Sequence, residues 1–300
     1  MGTRWQDHRS RRVLRAMERD ARRTDGPAGP ERRRSPALPV LGLAAVVAAL
    51  AFALGARGVG VDLPAGLGEL FHQRVYVEVD GEALAVPRPA PASGRLLPEV
   101  PVTTGGTYAF LRQDADGAPV GYDPCRPVRW VLRTTGMPDG GEQLVEQAVA
   151  EVSAATGLQL EYAGTTDEAP DVDRAIIQPD RYGTDWAPVL VAWATSEEVP
   201  ALVGDVAGIG GSAAVPGADG AGQWLAAGRL VLDSEDLGAM IAAGQGDSAR
   251  AIIMHELGHV VGLDHVNSVT ELMNPMMSGI LDFGPGDRAG LALVGQVDCQ

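Results

Sequence analysis

Hydrophobic positions recur along this chain with three different periods, and each period predicts a different element. Residues 36–56 carry no charge and are almost wholly apolar. As a helix at 1.5 Å per residue this run spans about 31 Å, the depth of a bilayer core. Arg74 to Asp80 (Arg-Val-Tyr-Val-Glu-Val-Asp) alternates apolar and polar, which predicts a short strand. Val128 to Leu132 and Leu158 to Tyr162 read the same way, and Val189 to Trp193 is a continuous apolar run, as in a strand buried on both faces. Gly228 to Asp233 is another strand. Gly210 to Pro216, made of small residues bounded by Gly and Pro, suits a sheet edge. The period changes to a helical one over 139–157, where Val145, Val149, Val152 and Thr156 share a face, Asp139 can cap the start and Gly157 the end. A second helix begins at Asp247 or Ser248, with Ile252, Leu257 and Val260 or Val261 turned to the core. A last one covers Gly286 to Val294, with Leu291, Leu293 and Val294 apolar.

The second helix carries the chemistry. His255 to His265 reads His-Glu-Leu-Gly-His-Val-Val-Gly-Leu-Asp-His. On a helix His255 and His259 lie one turn apart on one face, so two imidazoles reach one metal ion. Glu256 projects beside them. Gly262 enters φ > 0 at little cost, so the helix can stop and the chain can return His265 as a third ligand. Three protein ligands leave one position for water, the arrangement of a catalytic zinc. Of five histidines in the chain, three stand here.

His-Glu-x-x-His-x-x-Gly-x-x-His is the metzincin signature, and the stretch resembles the active-site helix of the matrixin-like metalloproteases. Leu272-Met273-Asn274-Pro275 resembles the matrixin form of the methionine turn that lies under the metal in that family, with Met276 and Met277 close by. The resemblance is strong over 250–276 and one of pattern over 122–295. It implies an α+β, zincin-like fold: a twisted, mixed five-stranded sheet, two long helices, a zinc cleft and a small C-terminal subdomain. It implies one catalytic Zn²⁺ on His255, His259 and His265, with Glu256 taking the proton of the attacking water and passing it to the leaving amine. It makes Gly211, Ser212, Ala213, Ala214 and Val215 the candidate strand along which a peptide substrate pairs. Val266 after the third histidine and Pro275 two residues past Met273 depart from the astacin-like and serralysin-like forms and leave the matrixins nearest. With only His8 and His72 left over, a histidine-rich structural zinc site is not expected. Ca²⁺ at the acidic loop Asp167 to Asp173 has no support beyond its charge.

Charge and cysteines bear on where such an enzyme works. Residues 1–36 hold 11 Arg against 5 acidic residues, whereas 37–300 are net −21. Arg32, Arg33 and Arg34 directly precede the apolar run. The positive-inside rule then keeps the N-terminus in the cytoplasm and sends the body across. The organisation expected is a basic arm (1–35), a transmembrane anchor or cleaved signal segment (36–56), a Pro-rich spacer or pro-region (57–106) and a metalloprotease domain (107–300). That makes a membrane-anchored, extracytoplasmic enzyme, or a secreted one if the segment is cleaved. Cys125 and Cys299 would then form a disulfide in an oxidising compartment; the other reading has Cys125 as a thiolate on the metal. No nucleic-acid partner is expected. The rival function class is a zinc-binding, proteolytically latent or inactive surface module.

Overall fold

A computed structural model describes residues 74–276 and 279–300. The anchor candidate 36–56 lies outside the described residues. Among the described residues no helix is long and apolar enough to cross a membrane.

The alternating segment after Arg74 is the first strand of a hairpin, β1 (Tyr76–Val79) and β2 (Glu82–Ala85). Its two-residue turn is Asp80-Gly81, both at positive φ (52° and 82°). Asp-Gly is the dipeptide this kind of hairpin turn favours. The Pro-rich stretch that follows has no regular structure, and its second half is tied to the domain. The Arg95 guanidinium donates to the Gly295 carbonyl (2.7 Å), Leu96 N–H to Pro124, and Gln296 Nε2 to the Val100 carbonyl (2.7 Å).

The body is a five-stranded sheet in the order β5-β4-β6-β8-β7. Its strands are β4 (Val128–Arg133), β5 (Leu160–Thr165), β6 (Val189–Ala194), β7 (Gly208–Pro216) and β8 (Gln223–Asp233). All pairs are parallel except β7 with β8, so the sheet is mixed, with one antiparallel edge. β6 is buried throughout, as its unbroken apolar run predicts. Val189, Val191 and Trp193 join the main core, while Leu190 and Ala192 pack with Val131 in a second cluster. β5 starts two residues later than the alternation of Leu158 to Tyr162 suggests: Leu158 is fully buried in the turn that leads into it.

Two 16-residue helices form the other layer, α1 (Gly141–Thr156) and, later in the chain, the helix of the histidines (Gly246–Val261). Val145, Val149, Val152 and Thr156 of α1 are all buried and Gly157 ends it at φ 69°. Neither predicted N-cap is used. Gly140 at φ 81° precedes α1 in place of Asp139, and Gln245 precedes the histidine helix, where Asp247 instead sits in the first turn. There its carboxylate meets the positive end of the helix dipole without a capping bond. The short α2 (Pro179–Tyr182) lies in the loop between β5 and β6, and α3 (Ser234–Ala242) follows β8. α3 is absent from the pattern of apolar residues. Its cap is nonetheless local: the Asp233 side chain accepts from Glu235 and Asp236 N–H at 2.8 and 2.9 Å. The histidine helix is α4, and α5 (Pro285–Val294) closes the chain. β3 (Ala109–Phe110) pairs with β9 (Leu263–Asp264), which fixes the chain just beyond α4. A Cys125–Cys299 disulfide joins the approach to β4 to the C-terminus; both sulfurs are used, which excludes the thiolate reading in this state.

Candidate metal centre

Ile252, Leu257, Val260 and Val261 bury one face of α4 in the core. Each such side chain contributes roughly 1.5–3 kcal/mol by leaving water. That packing fixes how far His255 and His259 can turn. Gly262, at φ 117°, stops the helix. A Cβ there would lie 3.0 Å from the Val120 carbonyl in a conformation side chains rarely adopt, so glycine is what permits the return. β9 then carries the chain to His265.

The three imidazoles converge through one kind of atom. His265 Nε2 lies 3.0 Å from His255 Nε2 and 3.1 Å from His259 Nε2. The opposite nitrogens of the two helical histidines are anchored on backbone: His255 Nδ1 on the Leu272 carbonyl (2.7 Å) and His259 Nδ1 on the Leu263 carbonyl (2.8 Å). A carbonyl accepts, so Nδ1 carries the hydrogen in each and the Nε2 lone pair is free for a metal. His265 Nδ1 is buried and finds no partner among the described residues. Burial, and then the charge of His255, push the His265 imidazole down to about 4. Burial also holds His259 well below the usual histidine value, with His255 and His265 adding to it. Both are therefore neutral ligands at neutral pH. A tetrahedral Zn²⁺ with bonds of about 2.0–2.1 Å sets its nitrogens about 3.3 Å apart, and this donor set fits it.

Glu256 is partly buried beside them. Burial pushes its carboxyl up, against the lowering effects of His255 and the Gly210 backbone amide. Met273 is fully buried, whereas Met276 is 50% exposed, and Met277 lies outside the described residues. A Cβ on Gly258 would stand 2.6 Å from Met273 Sδ. The thioether is thus pressed against α4 between the two helical ligands. Val266 N–H donates to the Met273 carbonyl (3.0 Å), which links the turn to the residue after His265.

Two buried carboxylates hold that turn from behind. Asp287 accepts from the N–H groups of Leu272, Met273 (3.3 Å) and Gly284 (2.9 Å). Glu271 accepts from Gly286 (2.9 Å) and Asp287 (3.0 Å) at the start of α5. Since the Leu272 carbonyl orients His255, Asp287 belongs to the support of the site. Asp287 and Glu271 went unread in the sequence because nothing local marks the bonds that tie the methionine turn to α5, which join residues 14 to 16 positions apart. The candidate substrate strand, Gly211 to Val215, falls within β7 at the edge of the sheet, with a bulge between Gly211 and Ala213. Ser212 at the bulge turns inward, where its Oγ lies 2.7 Å from both Tyr122 Oη and the Val260 carbonyl of α4. Two of the four carboxylates in the Asp167 to Asp173 loop are spent on arginines, Asp167 on Arg181 and Glu168 on Arg174 in a buried pair, and Asp171 accepts from the Asp173 N–H (2.8 Å).

A sheet with one antiparallel edge, a helix bearing two imidazoles, a glycine return to a third and a buried methionine beneath are consistent with a metzincin fold. Residues 191–285, from within β6 to the start of α5, match the family model of the matrixins (peptidase M10), which supports a matrixin-like metzincin domain over this part of the chain. No curated protein matches the chain.

Proposed function

We propose that the protein is a zinc-dependent endopeptidase acting on proteins outside the cell membrane. The observation that carries this is the convergence of three Nε2 atoms, two of them with Nδ1 committed to backbone carbonyls, beside a carboxylate. His255, His259 and His265 would hold the ion, which supplies Lewis acidity toward a water and toward the scissile carbonyl. Glu256 is the base: its partly buried carboxylate takes a proton from the water and returns it to the leaving amine. Gly211 to Val215 of β7, at the edge of the sheet, offers backbone groups to an extended peptide. The basic arm, the apolar run 36–56 and the disulfide favour an anchored enzyme whose domain faces an oxidising compartment.

The test is cleavage of a mixed peptide library by the full chain, with and without a zinc chelator, beside Glu256→Ala. Cleavage that chelation stops, and that Glu256→Ala lowers at least 100-fold while still binding zinc, is the expected result. A wild type that binds zinc and cuts nothing moves the reading to the latent surface module.

A further inference from the structure

The inner face of the edge strand reads Gly208, Gly210, Ser212, and all three meet α4. A Cβ on Gly210 would lie 2.0 Å from the Glu256 carbonyl oxygen and 3.1 Å from its Cα. A Cβ on Gly208 would lie 2.8 Å from Glu256 Cγ and 3.4 Å from Cδ. Ser212 bonds the Val260 carbonyl one turn further on. The intervening Ile209 points the other way, into a separate cluster with Val199, Leu202 and Val231. Neither Gly208 nor Gly210 has a positive φ, so backbone freedom does not require glycine at either position. Glycine inside a strand otherwise costs stability. Contact is what excludes a side chain: the nearest atom at each position belongs to Glu256, with the Val231 carbonyl oxygen in ordinary contact with Gly208 at 3.4 Å.

The two glycines exclude different things. At Gly210 the obstacle is helix backbone, which cannot yield unless strand and helix part. At Gly208 the obstacle is the stem of the Glu256 side chain, which yields by changing rotamer. We infer that Gly208 is a positioning residue for the general base: its missing side chain leaves Glu256 the one rotamer slot from which its carboxylate faces the metal centre. The strand proposed to bind substrate also forms the wall that aims the base. This rests on the endopeptidase reading.

The experiment compares wild type, Gly208→Ala and Ile209→Val as full chains, each measured for zinc content, melting temperature and kcat and KM on one cleaved peptide. For Gly208→Ala the expected outcome is a kcat lower by roughly 10–100-fold, the range in which a misplacement of about 1 Å acts. KM stays within about threefold, zinc near one equivalent, and the melting temperature is unchanged or higher. Ile209→Val trims the opposite face of the same strand and should lower the melting temperature by a few degrees with kcat intact, which separates a loosened strand from a misaimed base. If Gly208→Ala keeps full kcat, or loses zinc and melting temperature along with activity, the glycine is only structural and the inference is overturned. A wild type that cuts no peptide overturns the endopeptidase reading, and this inference with it.

Discussion

Two regions outside the histidine triad each bury a carboxylate, but they hold it in opposite ways. In the loop before β6, Glu168 is gripped by Arg174 through both oxygens (2.7 Å each), with Gln178 and Tyr182 adding bonds of 2.7 Å. Arg174 in turn donates to the Pro188 and Gly228 carbonyls, pinning the loop to the sheet. Behind the methionine turn, Asp287 is held by backbone N–H groups of Leu272, Met273 and Gly284. A side-chain pair can be removed as a pair. A carboxylate whose donors are backbone has no partner that a substitution can delete with it. The loop is therefore replaceable in principle, whereas the turn that orients His255 is not.

The largest effect should come from Asp287→Ala. It leaves three buried N–H groups without an acceptor, at roughly 1–3 kcal/mol each. A loss of about 3–5 kcal/mol would lower the melting temperature of a domain this size by about 10 °C or more. Because the Leu272 carbonyl orients His255, zinc affinity should fall with it, about 10–100-fold by titration against a chelating dye. An unchanged zinc affinity would break the link between turn and ligand. Arg174→Met comes next, stranding a buried carboxylate at about 3–5 kcal/mol, less whatever Glu168 recovers by taking a proton. The sharper experiment adds Glu168→Leu: the double variant should regain most of the loss in a urea melt, since a well-packed apolar pair often matches a buried ion pair. If the double variant is no better than Arg174→Met, the bonds from Arg174 to Pro188 and Gly228 hold the loop, and the contrast with Asp287 disappears.

The pH dependence should differ in sign. Burial alone would raise Glu168, but its bonds to Arg174, Gln178 and Tyr182 outweigh this and hold its carboxyl below the usual value. Its contribution is present above the ordinary glutamate pKa, about 4.3, and is lost as pH falls through the lower folded value. For Asp287 burial wins, and the neighbouring Glu271 charge adds to it, so its carboxyl stands above the usual aspartate value despite three N–H donors. Its contribution is complete below the ordinary value of about 3.9 and is lost as pH rises through the raised one. Urea melts of wild type against Glu168→Gln and against Asp287→Asn, from pH 3 to 7, should therefore both converge in acid, where each carboxyl is protonated like its amide, and part toward neutrality with opposite signs: wild type gains on Glu168→Gln and loses on Asp287→Asn. Divergence of the same sign in both pairs would show that the two carboxylates are held alike.

What the sequence revealed follows the same division between local and distant partners. The histidines, Glu256, Gly262 and Met273 were legible because helical spacing and one glycine turn set their geometry within 20 residues. The core strands were legible because burial on both faces writes an unbroken apolar run, as in β6. Asp233 as a cap and Asp80-Gly81 as a turn carried local signals that the apolar pattern alone passes over. Arg174 and Gly208 carried none, and the local one of Asp287, its bond to Gly284 N–H at the start of α5, says nothing of Leu272 and Met273. Their roles depend on partners brought together by the fold, Arg174 with Gly228 across 54 positions and Asp287 with Leu272 across 15.

Met273 offers the smallest effect and the finest test of the turn. Its backbone is held by Asp287 and Val266, and its side chain is pressed against Gly258. If position is set by the backbone and the side chain only fills space, Met273→Leu conserves volume and should cost less than about 1.5 kcal/mol, with zinc content unchanged and activity within a few-fold. Melting temperature and kcat measured together decide it. A loss of zinc in Met273→Leu would mean that the thioether itself steadies the imidazoles. The floor of the site would then depend on side-chain shape as well as on the backbone bonds that Asp287 supplies.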